Sequence, residues 1–248
     1  MAQNVLDRYG IKEVADLAIH KINPDGSIGD VVLLLDSLKV STLETTAETV
    51  YAQGGKGNPR LIGWDYGREI TLNVEDALYS PKSMAMIFGD GTVRTEEGKI
   101  RKTIRFVANG AGQAGIPSTW TDATGKEHEV TGQVVGDDGE VVEVAQVEEG
   151  KNYYLTFDLD TEALTINIDP NTFPGTYAFI GDTFARNEVT GEDEYFSFII
   201  PRGKITSETS LTLEAEGDPT VFSFNVDVLR ATDEYGRPVM MQLKQYKL

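Results

Sequence analysis

The strongest constraint in this chain is a period-two alternation of apolar and polar residues, repeatedly cut short by turn residues. Ile70, Leu72 and Val74 alternate with polar neighbours. Tyr153, Leu155 and Phe157 stand against Tyr154, Thr156 and Asp158, and VFSFNVDVL over 221–229 alternates along its length. Residues at i and i+2 share a face only in a strand, so these segments specify half-buried β-strands. The interruptions are Asn23-Pro24-Asp25-Gly26, Thr124-Gly125, Asp138-Gly139, Phe173-Pro174-Gly175, Thr190-Gly191 and Asp233–Gly236. Proline presets φ and glycine tolerates positive φ, which is what such turns require. Many short strands between turns predict a mainly β fold, a sandwich or barrel with one or two short helices and long loops.

Further strands are expected at Val31–Leu35 (a continuous apolar run, read as buried), Ser37–Val50, Leu61–Tyr66 and Glu69–Val74 around Gly67. Others are expected at Lys99–Val107, Ala163–Ile168, Tyr177–Ile180, Tyr195–Ile200, Ser210–Glu214 and Pro238–Tyr246, with Pro201-Arg202-Gly203 as a break. One helix is expected within residues 5–20, where Val14, Leu17 and Ala18 fit a helical stripe. A second is expected from Ser80 to Phe88. Ser80 is a good N-cap, Pro81 suits the first helical position, Met84 to Phe88 continue the apolar run, and Gly89 ends it. Residues 109–150 are rich in Gly, Thr, Val and Glu. They read as an inserted β-subdomain within one discontinuous core domain formed by 1–108 and 151–248.

Composition removes several kinds of chemistry. There is no cysteine, so disulfides, thiol catalysis and thiolate metal sites are excluded. The two histidines, His20 and His128, are too far apart in sequence to suggest a zinc site and read as surface or loop residues. The longest compact apolar run, 31–35, falls far short of the roughly 18 residues a membrane span needs. The opening MAQNVLDRYG has neither the basic nor the apolar region of a signal peptide, so cytoplasmic synthesis is expected. A net charge of −18 favours solubility and repels nucleic acid and anionic membranes.

The stretch QGGKGNPRLIGWDYGREITLNVEDALYSPKSMAMIF, residues 53–88, organises the reading. The GGKG loop invites comparison with a phosphate-binding loop, which needs a lysine followed by Ser or Thr on a strand-to-helix turn. Here Lys56 is followed by Gly57 and Asn58, and a strand comes next. Gln53, Gly54, Gly55, Lys56, Gly57 and Asn58 therefore read as a flexible loop that orders when a neighbour arrives. The acidic clusters lack EF-hand spacing, and no nucleophile elbow or Ser-His-Asp arrangement is present. The expectation is a non-enzymatic chain with no cofactor and no metal. Of the aromatics Trp64, Tyr66, Trp120, Tyr153, Tyr154 and Phe157, most fall on alternating strands and read as core. Trp120, in a Ser/Thr-rich loop, is the one expected to be exposed.

The run TVYAQGGKGNPRLIGWDYGREITLNVEDALYSPKSMAMIFG resembles the corresponding stretch of tailed-bacteriophage tail tube (major tail) proteins. It has a Gly-rich loop, an Arg-Leu-Ile strand, a Trp-Asp strand and an ED-AL-x-S-P-x-S entry to a helix. The segment IIPRGKITSETSLTLEAEGDPTVFSFNVDVLR is similar to their closing strands. The likeness covers roughly 43–89 and 195–246, and residues 109–150 depart from it. The resemblance implies a structural virion protein of the phage tail. Its β core would assemble with itself as stacked rings, hexameric in the family, and with other tail proteins. DNA would be a non-specifically passing cargo of the channel, and no membrane would be bound. It also implies that the 53–58 loop is an inter-subunit contact, that Leu61–Val74 is a channel or core hairpin, and that the helix bearing Ser80, Pro81, Met84 and Phe88 packs on the barrel. Two other readings remain open from the residues. One is a different β-rich virion part, such as a capsid decoration, head-fibre or baseplate protein. The other is a carbohydrate-binding module using Trp120.

Overall fold

The structure is a computed structural model that describes residues 6–206 and 221–247. The strand expected at Ser210–Glu214 and the LTLEAEGDP segment lie outside the described residues. The protein is mainly β, with several antiparallel sheets and, among the described residues, one α-helix. In chain order the strands are β1 (Tyr9–Ile11), β2 (Asp16–Ile22), β3 (Ile28–Leu35), β4 (Leu38–Gln53) and β5 (Arg60–Asp76). After helix α1 (Pro81–Phe88) come β6 (Arg94–Val107), β7 (Thr119–Thr121), β8 (Glu127–Glu129), β9 (Gly132–Gly136), β10 (Val141–Val142) and β11 (Asn152–Thr165). The last are β12 (Thr176–Asn187), β13 (Asp193–Ile205), β14 (Phe222–Val228), β15 (Ala231–Thr232), β16 (Pro238–Val239) and β17 (Gln242–Tyr246).

The chain forms two compact units, residues 1–93 with 166–248, and residues 94–165. In the first, a nine-stranded sheet runs β3-β2-β12-β13-β14-β5-β4, with β1 added to β12 and β17 to β13. Leu17 and Ile19 of β2, Phe179 of β12, Ile200 of β13, Phe224 of β14 and Leu72 of β5 share one buried cluster with Met86 and Ile87 of α1. Strands from both ends of the order feed the same core, so the sheet wraps around it. Each fully buried Leu, Ile or Phe stabilises by about 1.5–3 kcal/mol relative to exposure. Helix α1 starts as the sequence predicts. Ser80 accepts a hydrogen bond from the Ser83 N–H and Ser83 Oγ accepts one from the Ser80 N–H, with Pro81 at the first turn. Its end is fixed by the Gly89 and Gly91 N–H groups, both donating to the Ala85 carbonyl.

Four expectations are corrected. Residues 5–20 contain no helix among those described; β1 and β2 occupy the segment. Ala15, Leu17 and Ile19 are buried at period two, and this overrode the 14-17-18 stripe once β2 was paired on both sides, to β3 and β12. Val31–Leu35 is a strand buried only in part, with Leu35 in the core and Val32 and Leu33 packed against it. β3 ends the sheet order, leaving Val31 and Leu34 exposed. Pro201 does not break β13. The register against β12 shifts between Tyr177 and Phe179, and that bulge absorbs the proline. Finally, the two strands expected around Gly67 are one. Gly67 takes φ +61 where β5 carries an extra residue opposite Thr46–Glu48, a bulge that turns the strand without ending it.

In the second unit a four-stranded sheet runs β10-β9-β11-β6, and β7 and β8 pair as a hairpin with Gly125 in its turn. Tyr153, Leu155 and Phe157 of β11 are buried with Val134 of β9 and with Ala108, Val130 and Val147. The Gly/Thr/Val/Glu-rich segment 109–150 lies inside this unit, whose sheet also takes in β6 and β11.

Candidate functional site

The β4–β5 hairpin is the element whose construction exceeds what its own fold needs. Its strands run 16 and 17 residues and pair from Leu38↔Asp76 out to Gln53↔Arg60. The near end is anchored. Ile70, Leu72 and Val74 enter the core, and β5 pairs with β14 from Phe222↔Asp76 to Asp227↔Thr71. Asp76, only 2% exposed, accepts hydrogen bonds from Ser37 Oγ and the Leu78 N–H and so ties the base of the hairpin to the chain on both sides.

Beyond the Gly67 bulge, β5 leaves β14 and, among the described residues, pairs with β4 alone. The register places Glu48, Val50 and Ala52 opposite Tyr66, Trp64 and Ile62, so these residues share one face. Thr49 and Tyr51 lie opposite Asp65 and Gly63 on the other face. The first face is apolar and uncovered: Val50, Ile62, Trp64 and Tyr66 are each 50–56% exposed. The second is held by local contacts. Thr49 Oγ1 donates to Asp65 at 2.7 Å, and the Arg60 guanidinium sits 4.2 Å over the Tyr51 ring. Hydrogen bonding to the Glu48 carboxylate raises the Tyr66 hydroxyl above the usual phenol range.

The expected loop, Gln53 to Asn58, is the tip of this ribbon. The Gly54 N–H donates to the Pro59 carbonyl at 3.3 Å, the Asn58 N–H to the Gly55 carbonyl at 3.2 Å, and Asn58 Nδ2 to Gln53 Oε1 at 3.1 Å. Gly55 and Gly57 take φ +87 and +86, and Asn58 takes φ +49, so the tip is built from left-handed residues. Lys56 is exposed between them and nothing converges on it to form a phosphate cradle. Met84 and Phe88 of α1 are half-buried against the core, with the Phe88 ring 6.1 Å from that of Phe222. Exposed Leu78 and Tyr79 precede the helix.

Three aromatics differ from the sequence reading. Trp64 and Tyr66, read there as core, are exposed on the hairpin. The alternation assigns them a face, but nothing in it says that this face stays half-exposed. Trp120, expected exposed, is half-buried in the second unit. Its ring lies 6.0 Å from Phe157 and 5.7 Å from His128, with Lys102 Nζ 5.0 Å above it. His128 in turn contacts the Asp122 carboxylate at 2.9 Å. Hydrogen bonds from Thr124 and His128 hold that carboxylate well below the usual range.

A second constellation, not singled out in the sequence, ties down both terminal strands. Glu194 is 2% exposed, accepts from Tyr9 Oη of β1 at 3.1 Å and Gln245 Nε2 of β17 at 2.9 Å, and meets Lys247 Nζ at 3.1 Å. Burial pushes its carboxyl up, but the bonds from Lys247, Gln245 and Tyr9 together outweigh it and leave it below the ordinary value. Arg8 adds an ion pair to Glu188. The Glu192-Asp193-Glu194 run could have marked the place, though only the fold shows which carboxylate turns inward. Among the described residues no group of three or more His, Asp or Glu is placed to hold a metal ion, and no helix is long and apolar enough to cross a membrane.

A family model described as the YomU/Tube protein family matches residues 9–241. This is a phage tube-type family, in agreement with the resemblance to tail tube proteins in 43–89 and 195–246. No curated protein matches the chain.

Proposed function

The chain belongs to the YomU/Tube protein family, and from that premise we propose that it is a subunit of a phage tail tube. Copies polymerise as stacked rings, with six subunits each as the resemblance to tail tube proteins implies, around a channel through which DNA passes into the host. The observation that carries this reading is the far half of the β4–β5 hairpin. A two-stranded ribbon alone is marginal in water, and an apolar face of Val50, Ile62, Trp64 and Tyr66 left half-exposed lacks its second layer. A neighbouring copy supplies that layer, and the ring contact is completed by residues that do nothing for the free subunit.

The charge fits the same role. At −18, the subunit repels phosphate, so DNA moving through a channel of such subunits is conducted and not held. Nothing in this role calls for catalysis. The test is sedimentation of purified protein and of an Ile62→Ser/Trp64→Ser variant. The wild type should polymerise, and the variant should remain small while keeping its melting temperature, because neither side chain is in the core. A variant that polymerises like the wild type would overturn the assignment of the hairpin.

A further inference from the structure

The sheet of the second unit is electrostatically polarised from edge to edge. One terminal strand, β6, is 14 residues long and pairs with β11 on one side only. Backbone N–H and C=O groups of alternate residues along its outer side are therefore free to pair with another strand. It holds five of the seven Lys and Arg residues of 94–165: Arg94, Lys99, Arg101, Lys102 and Arg105. Three of these are engaged within the unit, Lys99 standing opposite Asp160 of β11 and lying close enough to Asp158 to act on its carboxylate. Arg101 makes a bidentate pair with Asp158, and Lys102 lies over Trp120. Lys99 and Arg105 are exposed on the same face as Arg101. Glu96 and Glu97 stand nearer the start of the strand, so the positive stretch is 99–105.

The opposite terminal strand, β10, is Val141–Val142, paired to β9 alone. It is flanked by exposed Asp137, Asp138, Glu140 and Glu143, with no cation among residues 137–143. Three strand spacings, about 14 Å, separate the two edges, so they cannot satisfy each other within one copy. A second copy offers each edge its complement.

We infer that the second unit is itself an assembly surface, in which the basic β6 edge of one copy docks on the acidic β10 edge of the next. This inference rests on the self-assembly proposed above and adds a contact to it. The contact joins two different patches, so it is head-to-tail and propagates around a ring. β10 is short, so the backbone contributes few bonds and the charges set partner choice and register. DNA is the poorer occupant of the basic edge, because residues 94–165 hold 14 Asp and Glu against 7 Lys and Arg.

The test uses two charge-reversed full-length proteins, Lys99→Glu/Arg105→Glu and Glu140→Lys/Glu143→Lys. Both leave the Arg101–Asp158 and Lys102–Trp120 contacts in place, and circular-dichroism melts check that both fold. Each alone cancels the net charge of one edge, 99–105 from +4 to 0 or 137–143 from −4 to 0, and sets like charges against each other at the changed positions. The concentration needed for assembly should rise by about tenfold or more, while an equimolar mixture should assemble near the wild-type concentration. Added salt should weaken wild-type assembly and ease that of the single variants. Wild-type assembly by each variant alone would overturn the inference, as would a mixture no better than its parts. Loss of DNA binding in Lys99→Glu/Arg105→Glu with assembly unchanged would instead make the edge a nucleic-acid surface. A wild type that never assembles would remove the tube assignment as well, which separates the two failures.

Discussion

Gly55 and Gly57 hold the hairpin tip in a conformation that costs an L side chain roughly 1 kcal/mol or more at each position, while an added Cβ would meet no neighbour within 4 Å. Their replacement therefore acts on backbone shape and not on packing. Gly55→Ala/Gly57→Ala should lower the melting temperature by no more than several degrees, because the tip is remote from the core, and should impair polymerisation by re-aiming Lys56 and Asn58. Polymers of normal length from that variant would show that the tip makes no contact. Glu194 tests a different residue-scale claim. Its carboxyl lies below the ordinary carboxylate range because Lys247, Gln245 and Tyr9 outweigh its burial. A lowered folded value means that its stabilisation is complete above the unfolded value, near 4.3, and is lost as pH falls through the folded one. Amide protection, relative to the intrinsic exchange rate at each pH, should therefore fall in β1 and β17 below about pH 4 before it does in β14. A Glu194→Gln variant should flatten that response. Terminal strands that stay protected until the whole protein unfolds would contradict the latch.

At the scale of elements, the β4–β5 hairpin is two structures in sequence. Its base is core, paired to β14 and locked by Asp76, and its far half is a ribbon with one apolar face and no cover. Local stability should follow this division. In the free subunit, amides of Val50, Ile62 and Trp64 should exchange orders of magnitude faster than those of Leu72 and Val74, and the difference should largely vanish on assembly. Uniform protection along β5 in the free subunit would argue that the ribbon needs no neighbour. The same division explains what could be read in advance. Ile70-Leu72-Val74, Tyr153-Leu155-Phe157 and the Ser80-Pro81 helix start were legible because periodicity and capping are local properties. β2 is not legible in this way because Leu17, buried at period two with Ala15 and Ile19, also fits the helical stripe of Val14 and Ala18, and only pairing on both sides decides between them. The exposure of Trp64 and Tyr66 was not legible at all. Alternation assigns a side chain to a face, but what covers the face is set by another strand or, on the function proposed above, by another copy.

For the whole molecule, the pieces converge on association. Among the described residues, strands β3, β4 and β6 each pair on one side only, one face of the hairpin is apolar and half-exposed, and one sheet carries opposite charge on its two edges. In a permanent monomer such features invite uncontrolled pairing. In the ring proposed above they would be the joints. The membership in the YomU/Tube family, matched over residues 9–241, places the chain among proteins for which such joints make sense. The account stands or falls on the polymer itself. Negative-stain electron microscopy of the purified protein at high concentration should show rings and long hollow tubes with a central channel. Globular monomers that never polymerise, at any concentration or salt, would contradict it.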